Sequence, residues 1–555
     1  MRDFGLTITL GGIGGGEVNT VMPVDLLLPP ESRVGAPTTP GAQNCSLLNL
    51  VAKPRSGYTT MGNLASSSAV TGLFQAQFDN NTNEYLRSDQ TKTYYYNAGT
   101  WTDIGANGVG GNWAYAMVRR AGGASLANQA FIAGSGDADA VYRYRGGGVA
   151  AATVSAGTFL GARTMVGHKG RSLVMNVYDV GLGVRKISRV YYSIVGDPET
   201  HTGTGSGFVD LDDEPYPIVN SAVISGNVCV FKGSNVGGAI TVGTSTGVTN
   251  SPYRWDTLNT GGVGLLVPRS LIQVTPELAF FLGNDGFYVY DGGRGLARVG
   301  DSIAQDLLGR INPNSLKAGF SEYLPQTSEV ILHVATGAST YPNEAWVFNI
   351  RERRIYGPYT YGDTLTSASQ FASSDTLSWD TIPFATWDSM TYASWDSMGA
   401  IASKRGAMYG TSTGYVMSND GTFTTDNGAT ITSRYLTGAI RAEGRKLLLP
   451  TGQQRELETD TTLTLRDLTL IYRNGGTWTP TVEISTDGGF TWTQIDDGAT
   501  IGSDTSNLGQ FLNKSYTTFG IAGTWFQARV TSTTPNMQLA GIRFEFTYSG
   551  NDRNS

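Results

Sequence analysis

The feature that most restricts this chain is its punctuation. Short runs of strand-forming residues, most starting or ending on an aromatic, are broken about every ten residues by Gly, Asn, Asp or Ser. The runs Leu73–Phe78, Lys92–Tyr96, Trp113–Arg119, Ser172–Tyr178, Ala222–Phe231, Leu278–Leu282, Phe287–Tyr290, Glu329–Val334 and Ala345–Asn349 are predicted strands. One helix is predicted, over Asp301–Leu308, where Ile303, Leu307 and Leu308 share a face and Asp301 can cap the start. Strands at this spacing make a sandwich, a barrel or a propeller, and length decides among them. The stretch 58–440 is too long for one sandwich, whereas a propeller uses about 40 to 50 residues per blade. NDGFYVYDGGRG and TSTGYVMSNDGTF read as blade hairpins, with Asn-Asp-Gly or Asp-Gly at the tight turn. The expected fold is all-β: an irregular β-propeller-like main domain with insertions.

The two ends read differently. Residues 1–57 carry GGIGGG and then five prolines between Pro23 and Pro40, which fix extended backbone and remove ladder donors. They are predicted to form an extended N-terminal arm lying across neighbouring surfaces, with disorder as the alternative. From 441 onward, Val482 and Ile484 alternate with Thr481, Glu483 and Ser485, the period of half-buried antiparallel strands. Residues 441–555 are expected to form a separate C-terminal β-sandwich.

Composition narrows the chemistry. The 73 glycines come with 27 Tyr and 10 Trp, so they serve turns between strands and not a low-complexity tract. A net charge of −7 gives no broad basic surface for phosphate, and DNA passing nearby would be mildly repelled. The two cysteines, Cys45 and Cys229, are expected to be buried free thiols. His168, His201 and His333 are scattered without metal-ligand spacing, so no metal is expected. Met1–Gly16 lacks the basic start and apolar run of a signal peptide, and no window reaches the roughly 18 apolar residues of a membrane helix. A soluble protein made in the cytosol is expected.

The most specific local motif is Ser485-Thr486-Asp487-Gly488-Gly489-Phe490-Thr491-Trp492, an Asp-box pattern S-x-D-x-G-x-T-W. The Asp487 carboxylate can accept backbone amides inside the loop, Gly489 supplies a positive φ, and Trp492 packs beneath the turn, with Ser485 and Thr491 completing the box. Sialidases carry such boxes, yet they also need an arginine cluster and a tyrosine nucleophile in one pocket. The box therefore makes a turn. A second motif repeats Trp-Asp three times, eight residues apart, at Trp379, Trp387 and Trp395. An even spacing on extended backbone puts the three rings on one face, as a stiffening aromatic ladder or as a row that binds sugar. The acidic pairs in LDDEPYP (Asp212, Asp213, Glu214) and at Asp496-Asp497 lack the alternation of a calcium loop. The glycine runs lack the Lys-Ser/Thr of a phosphate loop, and no Ser/His/Asp or Cys/His grouping survives. No catalytic residue, cofactor or enzyme activity is expected.

Three stretches carry a family resemblance. AQNCSLLNLVAKPRSGYTTMG looks like the opening segment of the tail nozzle family of short-tailed bacteriophages, which overlaps with tail tubular protein B and packaged-DNA stabilisation proteins. LAFFLGNDGFYVYDGGRGLARVGDSIAQDLLGRINPNS resembles that family's Asp-Gly hairpin and following helix, and SEVILHVATGASTYPNEAWVFNIRERRIYGPY resembles a strand pair closing on Gly-Pro-aromatic. The likeness spans 41–440 loosely, and the Asp-box sandwich departs from it. It implies a structural virion protein assembled in the host cytoplasm: a homo-hexameric viral tail ring below the portal and adaptor, contacting tail fibres and a needle or tip protein. Genomic DNA would pass through its lumen without specific binding, held and then released at DNA ejection. The alternatives are a glycan-binding or glycan-cleaving receptor protein of the tail, and a tail adaptor or decoration protein.

Overall fold

The computed structural model describes residues 4–10, 42–48, 51–374 and 403–548, apart from 79–82, 110, 122–127, 155–156, 294, 300, 352–353, 438–439, 442–445, 449–453, 457–461, 488 and 503–508. The chain divides into two units. One comprises 58–344 and 361–423, the other 1–57, 345–360 and 424–555.

The first unit is propeller-like. It runs through successive antiparallel sheets, here called blades, most of them consecutive up-and-down strands. Blade 1 is Gly72–Gln77, Asn83–Ser88, Lys92–Asn97 and Thr100–Asn107; blade 2 is Trp113–Arg119, Asn128–Gly134, Val141–Tyr144 and Ala152–Val154. Blade 3 is Phe159–His168, Arg171–Asp179, Val184–Tyr192 and Gly207–Asp210; blade 4 is Ile218–Ile224, Asn227–Ser234, Gly237–Val248 and Ser251–Thr257. Blade 5 is Ile272–Thr275, Leu278–Leu282, Phe287–Tyr290 and Leu296–Val299, and blade 6 starts with the hairpin Phe320–Leu324 and Glu329–Val334. Blade 7 joins Leu365–Ser374, Ser403–Thr411 and Val416–Asn419 to Thr59–Thr60 from the other end of the unit. That last pairing, extended by Met61 N–H to the Val416 carbonyl at 2.7 Å, ties the start of the unit to its end and closes the ring. The first strands of most successive blades also touch, with blade 7 meeting blade 1.

Period-two patterning explains why the blades stack. On the blade 4 strand Asn227–Ser234, Cys229 and Phe231 enter a core with Ala279, Phe281, Tyr288 and Tyr290 of blade 5. Val228 and Val230, on the opposite face, join Leu173, Met175 and Val190 of blade 3. A strand covered on both faces has no polar side, so in sequence it reads as one apolar run and not as alternation. This is why Ala222–Phe231, predicted as one strand, is two: Ser225 and Gly226, at φ 50° and 73°, turn the chain between them. Asn284-Asp285-Gly286 forms the expected hairpin turn, but Asn419-Asp420-Gly421 follows its strand, and the turn in that hairpin falls at 412–415. The helix spans Asp301–Arg310 and buries Ala304 and Leu307.

The second unit holds two six-stranded sheets. One orders Cys45–Leu48, Val51–Pro54, Leu539–Tyr548, Leu463–Arg473 and Phe511–Gly523, with Phe4–Leu10 also on Leu539–Tyr548. The other orders Ala42–Gln43, Ser433–Leu436, Trp525–Ser532, Thr481–Ser485 and Thr493–Gln494, with Ile440–Arg441 on Trp525–Ser532. Phe526 meets Phe546 across the sheets at 4.8 Å. Along Leu463–Arg473, Leu463 and Leu465 face inward; a bulge at Leu465/Asp467 then shifts the phase so that Leu468, Leu470 and Tyr472 do so too.

Two features differ from the sequence reading. The sandwich starts near 424 and not 441, and it draws strands from both chain ends. Phe4–Leu10 and 42–54, read as part of an arm over 1–57, are ladder strands of that sandwich; residues 11–41 lie outside the described residues. The cause is pairing: Phe4–Leu10 and Val51–Pro54 both pair with Leu539–Tyr548, hundreds of residues away, which local sequence does not reveal.

Candidate functional site

The Asp box lies at the end of the strand Thr481–Ser485, whose Val482 and Ile484 are buried. Ser485 Oγ accepts the Gly489 amide at 2.8 Å and donates to Asp487 Oδ1 at 2.7 Å. Asp487 accepts the amides of Phe490 and Thr491, each at 3.0 Å, and the Thr491 hydroxyl. Burial works to raise the Asp487 pKa, but the Thr491 hydroxyl and amide, the Ser485 hydroxyl and the Phe490 amide outweigh it and hold the carboxyl at about 2. Gly489 sits at φ 95°, and Trp492 Nε1 donates to its carbonyl at 2.9 Å. The Arg529 guanidinium lies 4.3 Å from the Trp492 ring centroid and makes two 2.6 Å hydrogen bonds to Glu483. The side chains of Ser485, Asp487, Thr491 and Trp492 are thus committed to their own turn. Trp379, Trp387 and Trp395 lie within 375–402, outside the described residues.

A second constellation was not anticipated. Arg55 is buried and pairs both guanidinium nitrogens with the buried Asp426 carboxylate, at 2.9 and 2.5 Å. It also donates to the Thr360 carbonyl at 2.6 Å and to Asn44 Oδ1 at 3.3 Å. Asn44, at φ 54°, donates to the Thr432 carbonyl and Thr360 Oγ1, both at 3.0 Å, and accepts the Thr360 amide at 2.7 Å. Arg55, Thr360 and Asp426 each lie within three residues of a point where the chain leaves or enters this unit. The network therefore ties three chain crossings to one buried charge pair. No sequence signal could pair Arg55 with a residue 371 positions away.

The remaining chemistry-bearing groups are held by the scaffold. His168 bonds Tyr253 and the Gly226 carbonyl, His201 bonds Ser172, and His333 bonds Glu322. Burial lowers the His201 pKa to about 4, with its ring edge-on to Phe159 at 4.9 Å. Cys45 and Cys229 are free and buried, and burial raises their thiols to about 12 and about 11. Asp496 accepts the Val482 amide and Asp497 pairs with Lys514 at 2.6 Å, while Asp212 accepts the Ser188 hydroxyl. Among the described residues, no three His, Cys, Asp or Glu side chains converge as metal ligands, and no helix is long and apolar enough to cross a membrane.

No family model matches the chain, and no curated protein matches it. It is similar to a solved structure described as BBS1N in complex with ARL6DN, soaked with lead, with 12% identity over 67% of this chain and 99% of that chain and a TM-score of 0.33. At that score the fold assignment rests on the strand pairing alone.

Proposed function

We propose that this protein is a structural component of a virus particle: a tail nozzle subunit of a short-tailed bacteriophage. Six copies form a ring around the DNA-exit channel below the portal and adaptor, and the ring helps retain and then release the genome. The observation that carries this reading is the sequence resemblance over 41–440, and the Arg55–Asp426–Thr360–Asn44 knot agrees with a stiff scaffold, since its buried charge pair is committed within the chain. The commitment of the Asp-box groups to their own turn also fits a structural role. A net charge of −7 suits DNA that must slide past and not adhere.

Immunogold labelling of intact particles with antibody to the purified chain tests this. Gold at the tail beneath the head is expected, in particles that still eject DNA. Label on the head surface would favour a decoration protein, and absence of label from particles would end the proposal.

A further inference from the structure

The propeller-like unit contains a cavity of about 650 Å³ whose walls are the first strands of blades 2, 3 and 4 and the segments 265–269 and 313–317. Its charge is one-sided. Arg163, Arg185, Arg269 and Lys317 line it and no Asp or Glu does, in a chain whose net charge is −7. Two of these cations are held by the scaffold: Arg185 bonds Asp137 at 2.5 Å and the Asn176 and Ser135 carbonyls, and Arg269 bonds the Thr71 and Ala318 carbonyls. Arg269 has no carboxylate partner among the described residues; burial lowers its pKa to about 10, and its Nε is buried without a hydrogen bond. The other two, Arg163 and Lys317, make no side-chain hydrogen bond or ion pair among the described residues, and neither do the lining amides of Asn235 and Asn314. Beyond the lining, Asp137 is taken by Arg185 and Asp139 by the amides of Gly136 and Val109, so they offset this charge only in part.

Uncommitted cations and amides facing one concavity are what an organic anion needs: charge for a carboxylate or phosphate, and amide groups for hydroxyls. The volume is that of a small-molecule site. We infer that this cavity binds a polyhydroxylated anion, a sugar carrying a carboxylate or a phosphate, with Arg163 and Lys317 as its charge-recognising residues. The inference does not depend on the ring proposal, since a ligand of this size fits within one chain.

Isothermal titration calorimetry of the full-length protein against glucuronate, glucose 6-phosphate, glucose and inorganic phosphate tests it. Glucuronate or glucose 6-phosphate should bind, and whichever binds identifies the anionic group, while neutral glucose should bind at least tenfold more weakly. Arg163→Ala and Lys317→Ala alter exposed side chains, so circular dichroism should be unchanged; each should weaken the anion at least tenfold. Lys514→Ala, in the other unit, should leave binding unchanged. Failure of both sugar anions to bind, binding of inorganic phosphate as tight as theirs, or binding indifferent to Arg163→Ala and Lys317→Ala would each overturn the inference.

Discussion

The two units use similar strands but assemble them differently. Most blades of the propeller-like unit are chain-local, four strands consecutive in sequence, and among the described residues Thr59–Thr60 comes from far away to close the ring. The sandwich does the reverse: Phe4–Leu10 pairs with Leu539–Tyr548, and Ala42–Gln43 with Ser433–Leu436. One unit is thus stabilised by repeated apolar stacking between neighbours in sequence, the other by polar and apolar contacts that hold distant segments together. Substitutions that act on one kind of contact should leave the other unit alone.

The largest effect should come from the buried pair. Asp426→Ala leaves the Arg55 guanidinium buried without its carboxylate and should cost about 3–5 kcal/mol. In calorimetry of the full chain, the transition of the sandwich should fall while that of the propeller-like unit holds; a shared drop of both would break the comparison. Phe231→Ala is the counterpart, since Phe231 packs on Phe281 and Tyr290 at 5.3 and 6.1 Å. A loss of about 3–4 kcal/mol is expected, confined to the propeller-like transition.

Acid should separate the units further. His201 is buried with its pKa lowered from 6.5 to about 4, so the unfolded chain takes up its proton first. Its contribution is complete above pH 6.5 and is lost as pH falls toward 4, by up to about 3 kcal/mol. Asp487 is also depressed, to about 2, so its contribution is present above an unfolded value of about 4 and is lost between there and pH 2. The propeller-like unit should therefore soften first on acidification, as read by blade tryptophan fluorescence between pH 6.5 and 4. His201→Phe should shrink this early phase, leaving the smaller part due to His168, whose pKa burial also lowers; a phase undiminished in that variant would count against it. The smallest effect is Asp487→Ala, about 1 kcal/mol, because water screens and partly replaces the exposed turn's hydrogen bonds. An unchanged melting temperature for the sandwich transition would refute it.

The same contrast explains what was legible in the sequence. Blade strands such as Leu278–Leu282 and Glu329–Val334 were predicted to the residue because local turn chemistry bounds them. The Asp-box turn was readable for the same reason: Ser485 through Trp492 contain every partner it needs. The N-terminal strands were not, because Phe4–Leu10 finds its ladder partner only in Leu539–Tyr548, more than 500 residues away. Nor was the Arg55–Asp426 pair, since two charged residues in separate segments carry no mark of each other. Doubly covered strands hid the turn at Ser225-Gly226 for a third reason: without a polar face, the period that marks a strand's end disappears.

Averaged electron micrographs of the purified full-length protein test the central claim, that this is a self-associating structural ring subunit. Sixfold rings with an open centre are expected. Particles that stay single chains at every concentration, together with turnover of a saccharide, would contradict it.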